Sequence, residues 1–172
     1  MRATLTRSPS KKKGSSLARS HKSLQRKSLS GGIVDFYVCG RAVKSSSRKF
    51  TPTEMIKTLK EGLPVRELNA LQAALAVPME SLAPMLGISK ATLHRRRLGG
   101  RLVASESDRV VRFARLMGKA TRVMESESSA RAWLTNPQFG LGGAVPLRYA
   151  ETEIGAREVE DLLGRIEHGV YS

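Results

Sequence analysis

The run Met79-Glu80-Ser81-Leu82-Ala83-Pro84-Met85-Leu86-Gly87-Ile88-Ser89-Lys90-Ala91-Thr92-Leu93-His94-Arg95-Arg96-Arg97 constrains the fold more than any other part of the chain. Two short helical segments meet at Leu86-Gly87-Ile88. Glycine accepts the positive φ that a tight turn between helices needs, and Ser89 is a natural N-cap for the segment that follows. Ala83 is small where the two helices must approach, and Leu82, Leu86, Ile88 and Leu93 form a candidate buried set. This is the pattern of a helix-turn-helix whose second helix enters the major groove. With Leu93 inward, Lys90, His94 and Arg95 share the outer side, and Arg96 and Arg97 close the helix where phosphates or base edges would lie. Ser89 and Thr92 complete the candidate DNA-contacting set. An ordinary helix pair with a solvated basic face has the same spacing; three consecutive arginines favour DNA. Pro84 is harmless only if the first helix starts near Ser81, which would leave barely more than one turn.

Charge is unevenly divided. The 172 residues carry 30 Lys+Arg against 15 Asp+Glu, a formal net charge of +15, enough to point to nucleic acid or an acidic surface. Residues 1–50 hold 13 of the basic side chains and a single acid, Asp35. Residues 79–101 set five basic side chains against Glu80 alone, whereas residues 125–172 set four arginines against eight acids. The length allows one medium domain or two small ones. No apolar run approaches the roughly 18 residues of a membrane span. One cysteine, Cys39, excludes an internal disulfide framework, and three scattered histidines (His21, His94, His168) give no zinc spacing. Neither a metal nor a cofactor is expected.

Residues 1–30 are dominated by Ser, Lys and Arg, too polar to offset the entropy of ordering, so a largely disordered basic tail is expected over 1–50. No apolar stretch follows the charges, which excludes a secretory signal. The composition is also that of an organellar transit peptide, but without its amphipathic period. A basic arm on DNA phosphates and plain solvated disorder both remain open. Ile33–Val38, β-branched and aromatic between glycines, is expected to form a short strand or a docking segment.

The remainder is expected to be all-α. Thr51-Pro52-Thr53-Glu54 is a helix start with a capping box and proline at the first helical position. Ile56, Leu59 and Leu63 follow as its apolar stripe, with Gly62 as terminator. Pro64 opens a helix carrying Leu68, Leu71 and Leu75. After Gly99-Gly100, Ser105-Glu106-Ser107-Asp108 starts another, with Val110, Phe113, Ala114 and Met117 inward. Ala130, Trp133 and Leu134 form the inner face of a helix ended by Asn136-Pro137, and Pro146 opens a short turn through Tyr149. The last helix spans Thr152 to His168 on the stripe Val159, Leu162, Leu163, Ile166, with acids in its first half as the helix dipole prefers. Gly142-Gly143 lacks the Lys-Ser/Thr and preceding strand of a phosphate loop. His168 has no nucleophile or titratable partner and is expected at the helix C-cap; Trp133 and Phe139 are expected in the core. No catalytic constellation is present, so the chain is not expected to be an enzyme.

The ordered series Glu61-Gly62-Leu63-Pro64, Leu86-Gly87-Ile88-Ser89 with Thr92-Leu93-His94-Arg95-Arg96, Ser105-Glu106-Ser107-Asp108-Arg109, Ala132-Trp133-Leu134, Leu141-Gly142-Gly143 with Pro146-Leu147, and Thr152-Glu153-Ile154-Gly155-Ala156 through Ile166-Glu167-His168-Gly169-Val170 resembles antitoxins of the Xre/MbcA/ParS type, which pair with RES-domain toxins. The likeness covers about residues 55–172. Pro84 and Phe139-Gly140 depart from the pattern. The resemblance implies a cytoplasmic bacterial protein with an Xre-like helix-turn-helix domain over 51–124 and a toxin-binding domain over 125–172. It implies a homodimer that binds double-stranded operator DNA and autoregulates its operon. It further implies that the C-terminal domain obstructs the active site of a RES-domain, NAD-consuming toxin. The implied toxin-contacting residues are Trp133, Leu141, Glu158, Leu162, Ile166, His168, Val170, Tyr171 and Ser172. Tyr171 is a candidate plug for the toxin's NAD site; the other reading has Val170 fold back on the helix. The alternative function is a stand-alone repressor whose C-terminal part dimerises or senses a ligand.

Overall fold

The computed structural model describes residues 32–38 and 51–170; the expectations for residues 1–31, for Cys39 and for Tyr171 and Ser172 lie outside them. Among the described residues the architecture is all-α: α1 (Ile33–Val38), α2 (Pro52–Glu61), α3 (Val65–Leu75), α4 (Met79–Met85), α5 (Lys90–Gly99), α6 (Ala104–Val123), α7 (Glu127–Thr135), a 3₁₀ turn (Phe139–Leu141), α8 (Pro146–Tyr149) and α9 (Glu153–Glu167).

The longest helix, α6, is the axis of the fold. Its 20 residues span about 30 Å at 1.5 Å per residue. Val110, Phe113, Ala114, Leu116 and Met117 are completely buried, and α1, α2, α3, α7 and α9 all pack on it. One continuous apolar core therefore runs from Ile33 to Leu163. No described helix is long and apolar enough to cross a membrane, and the described residues contain no cluster of metal-ligating side chains.

Local chemistry sets the helix ends. Thr51 Oγ1 accepts the Glu54 N–H at 3.2 Å while Glu54 Oε2 accepts the Thr51 N–H at 2.9 Å, the expected capping box. At the start of α6 only half of such a box exists. Glu106 Oε2 accepts the Val103 N–H at 3.0 Å, and valine has no side-chain acceptor to return the bond. Ser107 is fully buried and welds this end to α3's approach: its hydroxyl accepts the Leu63 N–H and donates to the Val103 carbonyl, both at 2.8 Å.

Four expectations are corrected. Ile33–Val38 is a helix, not a strand, because its ends are held by distant residues rather than by propensity: Glu67 Oε2, in the first turn of α3, accepts the Val34 N–H at 3.0 Å. Ile56 is 55% exposed; Met55 and Leu59, four residues apart, pack against the core instead. The helix α4 begins at Met79 and runs seven residues, with the exposed Pro84 in its last turn, so the missing N–H does not shorten it to one turn. Phe139 is 99% exposed rather than core.

Candidate functional sites: a basic helix and an apolar groove

The pair α4–α5 has the geometry its sequence predicts. Gly87 adopts φ +68°, and Leu82, Leu86 and Ile88 are completely buried. The turn is clamped from behind by Arg109, whose Nη1 donates to the Leu86 carbonyl at 3.0 Å. Ser89 caps α5 by accepting the Thr92 N–H at 3.2 Å, and the Ser89 hydroxyl donates to Thr92 Oγ1 at 3.0 Å. Leu93 anchors α5 inward. Lys90, His94, Arg95 and Arg97 are exposed, and Lys90, His94 and Arg97 line a cleft of about 350 Å³ shared with α4. Thr92 is half-buried and receives a long bond from Arg95 Nη2 at 3.4 Å.

Arg96 turns away from this group. Its Nε donates to Glu106 Oε2 at 2.8 Å, and the Glu106 side chain is only 7% exposed. That hydrogen bond, with the carboxylate's charge and against partial burial, pushes the Arg96 pKa further up. Arg96 therefore ties α5 to α6, and the outward cationic face consists of Lys90, Arg95 and Arg97 with His94. Arg101 is likewise engaged, donating to the Gly62 carbonyl at 2.7 Å through Nη2. Sequence spacing missed Glu106 and Ser107 as functional supports; two polar residues one turn into an apolar helix were the available signal.

The C-terminal unit presents an apolar groove of about 560 Å³ between α7, the 3₁₀ turn and α9. It brings together Trp133, Leu162, Ile166 and Val170 of the candidate partner-contacting set, and adds Phe139 and Arg165. Leu162 and Ile166, expected as core stripe, are half-exposed here; Val159 and Leu163 alone of that stripe are fully buried. Gly140 lets the turn approach α9, since a Cβ there would sit 2.6 Å from a Leu162 methyl. Arg165 Nε is buried with no hydrogen-bond partner among the described residues. Leu141 packs against the core rather than lining the groove, while Glu158 and His168 are exposed outside it. His168 is the C-cap of α9, its N–H bonded to the Gly164 carbonyl at 3.1 Å.

Half of the acidic end of α9 is consumed internally. Arg115 Nη2 donates to Glu160 Oε1 at 2.8 Å, and Lys119 donates to the Glu160 carbonyl. Burial works to lower the Arg115 pKa, but the hydrogen bond and charge of Glu160 outweigh it, so the net shift is upward. Arg112 Nε lies 3.0 Å from Glu153 Oε2, close enough for charge pairing though off the direction of a hydrogen bond. Glu158 and Asp161 are left facing solvent.

A helix-turn-helix with a basic second helix, joined through one long helix to a small all-α unit bearing an apolar groove, defines a DNA-binding regulator with a second binding domain. Residues 54–115 match the family of antitoxin Xre-like helix-turn-helix domains, and residues 119–169 match the antitoxin Xre/MbcA/ParS C-terminal toxin-binding domain. The chain is 36% identical over 122 residues to an antitoxin Xre of Yersinia enterocolitica, covering 70% of this chain and 82% of that one. It is 36% identical over 116 residues to an antitoxin Xre of Photorhabdus laumondii, covering 66% and 78%. A Sphingobium protein named Prs ADP-ribosylating antitoxin is 25% identical over 132 residues, covering 71% and 83%. The chain belongs to the Xre family of antitoxins, non-enzymatic regulators with a helix-turn-helix and a toxin-binding domain.

Proposed function

We propose that this antitoxin neutralises a RES-domain, NAD-consuming toxin by inserting the rim of the apolar groove into the toxin's active site, and that it represses its own operon through α5. The observation that carries the toxin reading is Phe139. A 99% exposed phenylalanine on a turn that passes close over Leu162, beside an open apolar groove, has the form of an interface anchor. It lies inside the match to the toxin-binding domain. Arg165 lines the same groove and brings a guanidinium charge to it. The Sphingobium relative's name speaks of ADP-ribosylation, a reaction whose donor is NAD, and this favours an NAD-consuming partner. The toxin-binding match favours this reading over a stand-alone repressor.

On the DNA side, Arg95 and Arg97 read base edges while Lys90, His94, Ser89 and Thr92 hold phosphates, and Arg96 keeps α5 in place. A homodimer would present two α5 helices one helical turn apart on a two-fold operator in the cytoplasm. The division of labour falls near residue 124, where α6 ends. The test is co-purification with a RES-domain toxin encoded beside this gene, followed by an NAD-consumption assay. Stoichiometric antitoxin should abolish consumption; a toxin that stays fully active with bound antitoxin would refute obstruction.

A further inference from the structure

The cleft of about 350 Å³ between α4 and α5 holds more than the cations of α5. Its floor is apolar: Ala83, Ile88 and Leu93 are buried beneath it, and Met79 and Pro84 line it from the α4 side. Lys90, His94 and Arg97 form the opposite rim. Their spacing of i, i+4 and i+7 puts them along one face of α5 over about 10 Å. Glu80, in the first turn of α4, brings a carboxylate to the same cleft.

The charged groups of this cleft are left uncompensated. Arg96, one residue before Arg97, is bound to Glu106, and Arg101 to the Gly62 carbonyl. Lys90, His94, Arg97 and Glu80, by contrast, form no ion pair with one another or with any other of the described residues. A ligand that satisfies the cleft therefore carries negative charge for the α5 rim, a flat apolar body for the floor and a hydrogen-bond donor for Glu80. Duplex DNA brings phosphates and base edges, but its rings are stacked and offer no face to an apolar floor. A free nucleoside phosphate offers phosphates and an open ring face together. On adenine or cytosine it also offers an exocyclic amine that donates to a carboxylate. The volume lies at the lower end of the range for small-molecule sites, about 300–1,000 Å³, which suits a single nucleotide.

We propose that the α4–α5 cleft is a binding site for a free nucleotide whose base bears an exocyclic amine. Its phosphates lie on Lys90, His94 and Arg97, its ring lies on the floor between Met79 and Leu93, and its amine donates to Glu80. The consequence rests on the operator-binding reading above: the nucleotide occupies cations that the operator phosphates also need, so the two ligands exclude each other. Operator occupancy then falls as free nucleotide rises, with no change of fold.

The experiment titrates the full chain with ADP, UDP and inorganic pyrophosphate by calorimetry at constant ionic strength. UDP carries the same phosphates as ADP on a base without an exocyclic amine. ADP should bind at least about tenfold more tightly than pyrophosphate, and more tightly than UDP. Glu80 and Lys90 are both exposed, so replacing either removes no buried contact, and melting curves check that the variants are folded. Glu80→Ala should bring ADP and UDP within about twofold of each other, because the donor loses its acceptor. Lys90→Ala should weaken all three probes. Equal affinity for ADP and pyrophosphate would reduce the cleft to a cationic patch and overturn the nucleotide site. An ADP preference unmoved by Glu80→Ala, or pyrophosphate binding unmoved by Lys90→Ala, would put the ligand elsewhere and overturn it as well. Competition is read from the anisotropy of a labelled operator duplex: ADP at about ten times its dissociation constant should weaken operator binding roughly tenfold. If the chain binds no operator, the operator-binding reading falls while calorimetry still decides the cleft. If it binds both and ADP leaves operator affinity unchanged, the shared site falls and the operator-binding reading stands.

Discussion

Arg96 Nε lies 2.8 Å from Glu106 Oε2, and this pair joins α5 to α6, the axis of the fold. The same carboxylate caps α6 through the Val103 N–H at 3.0 Å. One buried side chain therefore fixes both the start of α6 and the orientation of α5. Glu106→Ala should lower the urea midpoint and weaken operator binding together, while Arg95→Ala lowers operator binding by about 1–3 kcal/mol without moving the midpoint. Urea denaturation beside mobility shifts separates the two. Equal stability losses in both variants would mean that the pair does not orient α5.

Gly87 makes the turn possible at φ +68°, where a Cβ would also stand 2.0 Å from Arg109 Nη1. Gly87→Ala should cost about 1–2 kcal/mol from the left-handed backbone alone. Arg109 would have to release the Leu86 carbonyl as well. Operator binding should fall while toxin binding persists, as read by denaturation and by pull-down with the toxin.

At Gly155 the constraint is contact. A Cβ there would lie 1.8 Å from the Tyr149 carbonyl oxygen, which is backbone and cannot step aside. Gly155→Ala should separate α8 from α9 and distort the groove. Toxin binding should drop by an order of magnitude or more with operator binding retained, the converse of Gly87→Ala. A variant that binds toxin normally would show that the α8–α9 corner does not shape the interface.

Burial raises the Tyr37 phenol above its usual 10, with Arg115 pulling partly the other way. A raised folded-state pKa contributes stability that is fully present below pH 10. It is lost as pH climbs from 10 through the folded value. Docking of α1 should therefore weaken in alkali, and the urea midpoint should fall more steeply as the pH rises past 10 in the wild type than in Tyr37→Phe. Parallel profiles would mean that the phenol is not coupled to docking.

What could be read from the sequence was what short-range chemistry decides. Thr51 with Glu54, Gly87 with Ser89, and the inward Val110, Phe113, Ala114 and Met117 all follow from spacings of four residues or fewer, and each is found as expected. The failures involve distant partners. Ile33–Val38 has the composition of a strand, and its helix depends on Glu67, 33 residues from Val34. Arg96 looked like one of three equal arginines because Glu106 faces it only after the chain turns at Gly100. The sequence alone places Phe139 in the core, because an apolar side chain is buried by default. Its exposure depends on how the 3₁₀ turn sits on Leu162, which no local pattern encodes.

The two-function account is tested most directly by the affinity of Phe139→Ala for the cognate toxin, measured by calorimetry beside wild type. Phe139 is 99% exposed, so melting should be unchanged. As the anchor of the interface, its loss should weaken toxin binding by at least about 2 kcal/mol, roughly thirtyfold, with operator affinity unaltered. Toxin affinity within twofold of wild type would contradict the account and remove the apolar groove as the site of neutralisation.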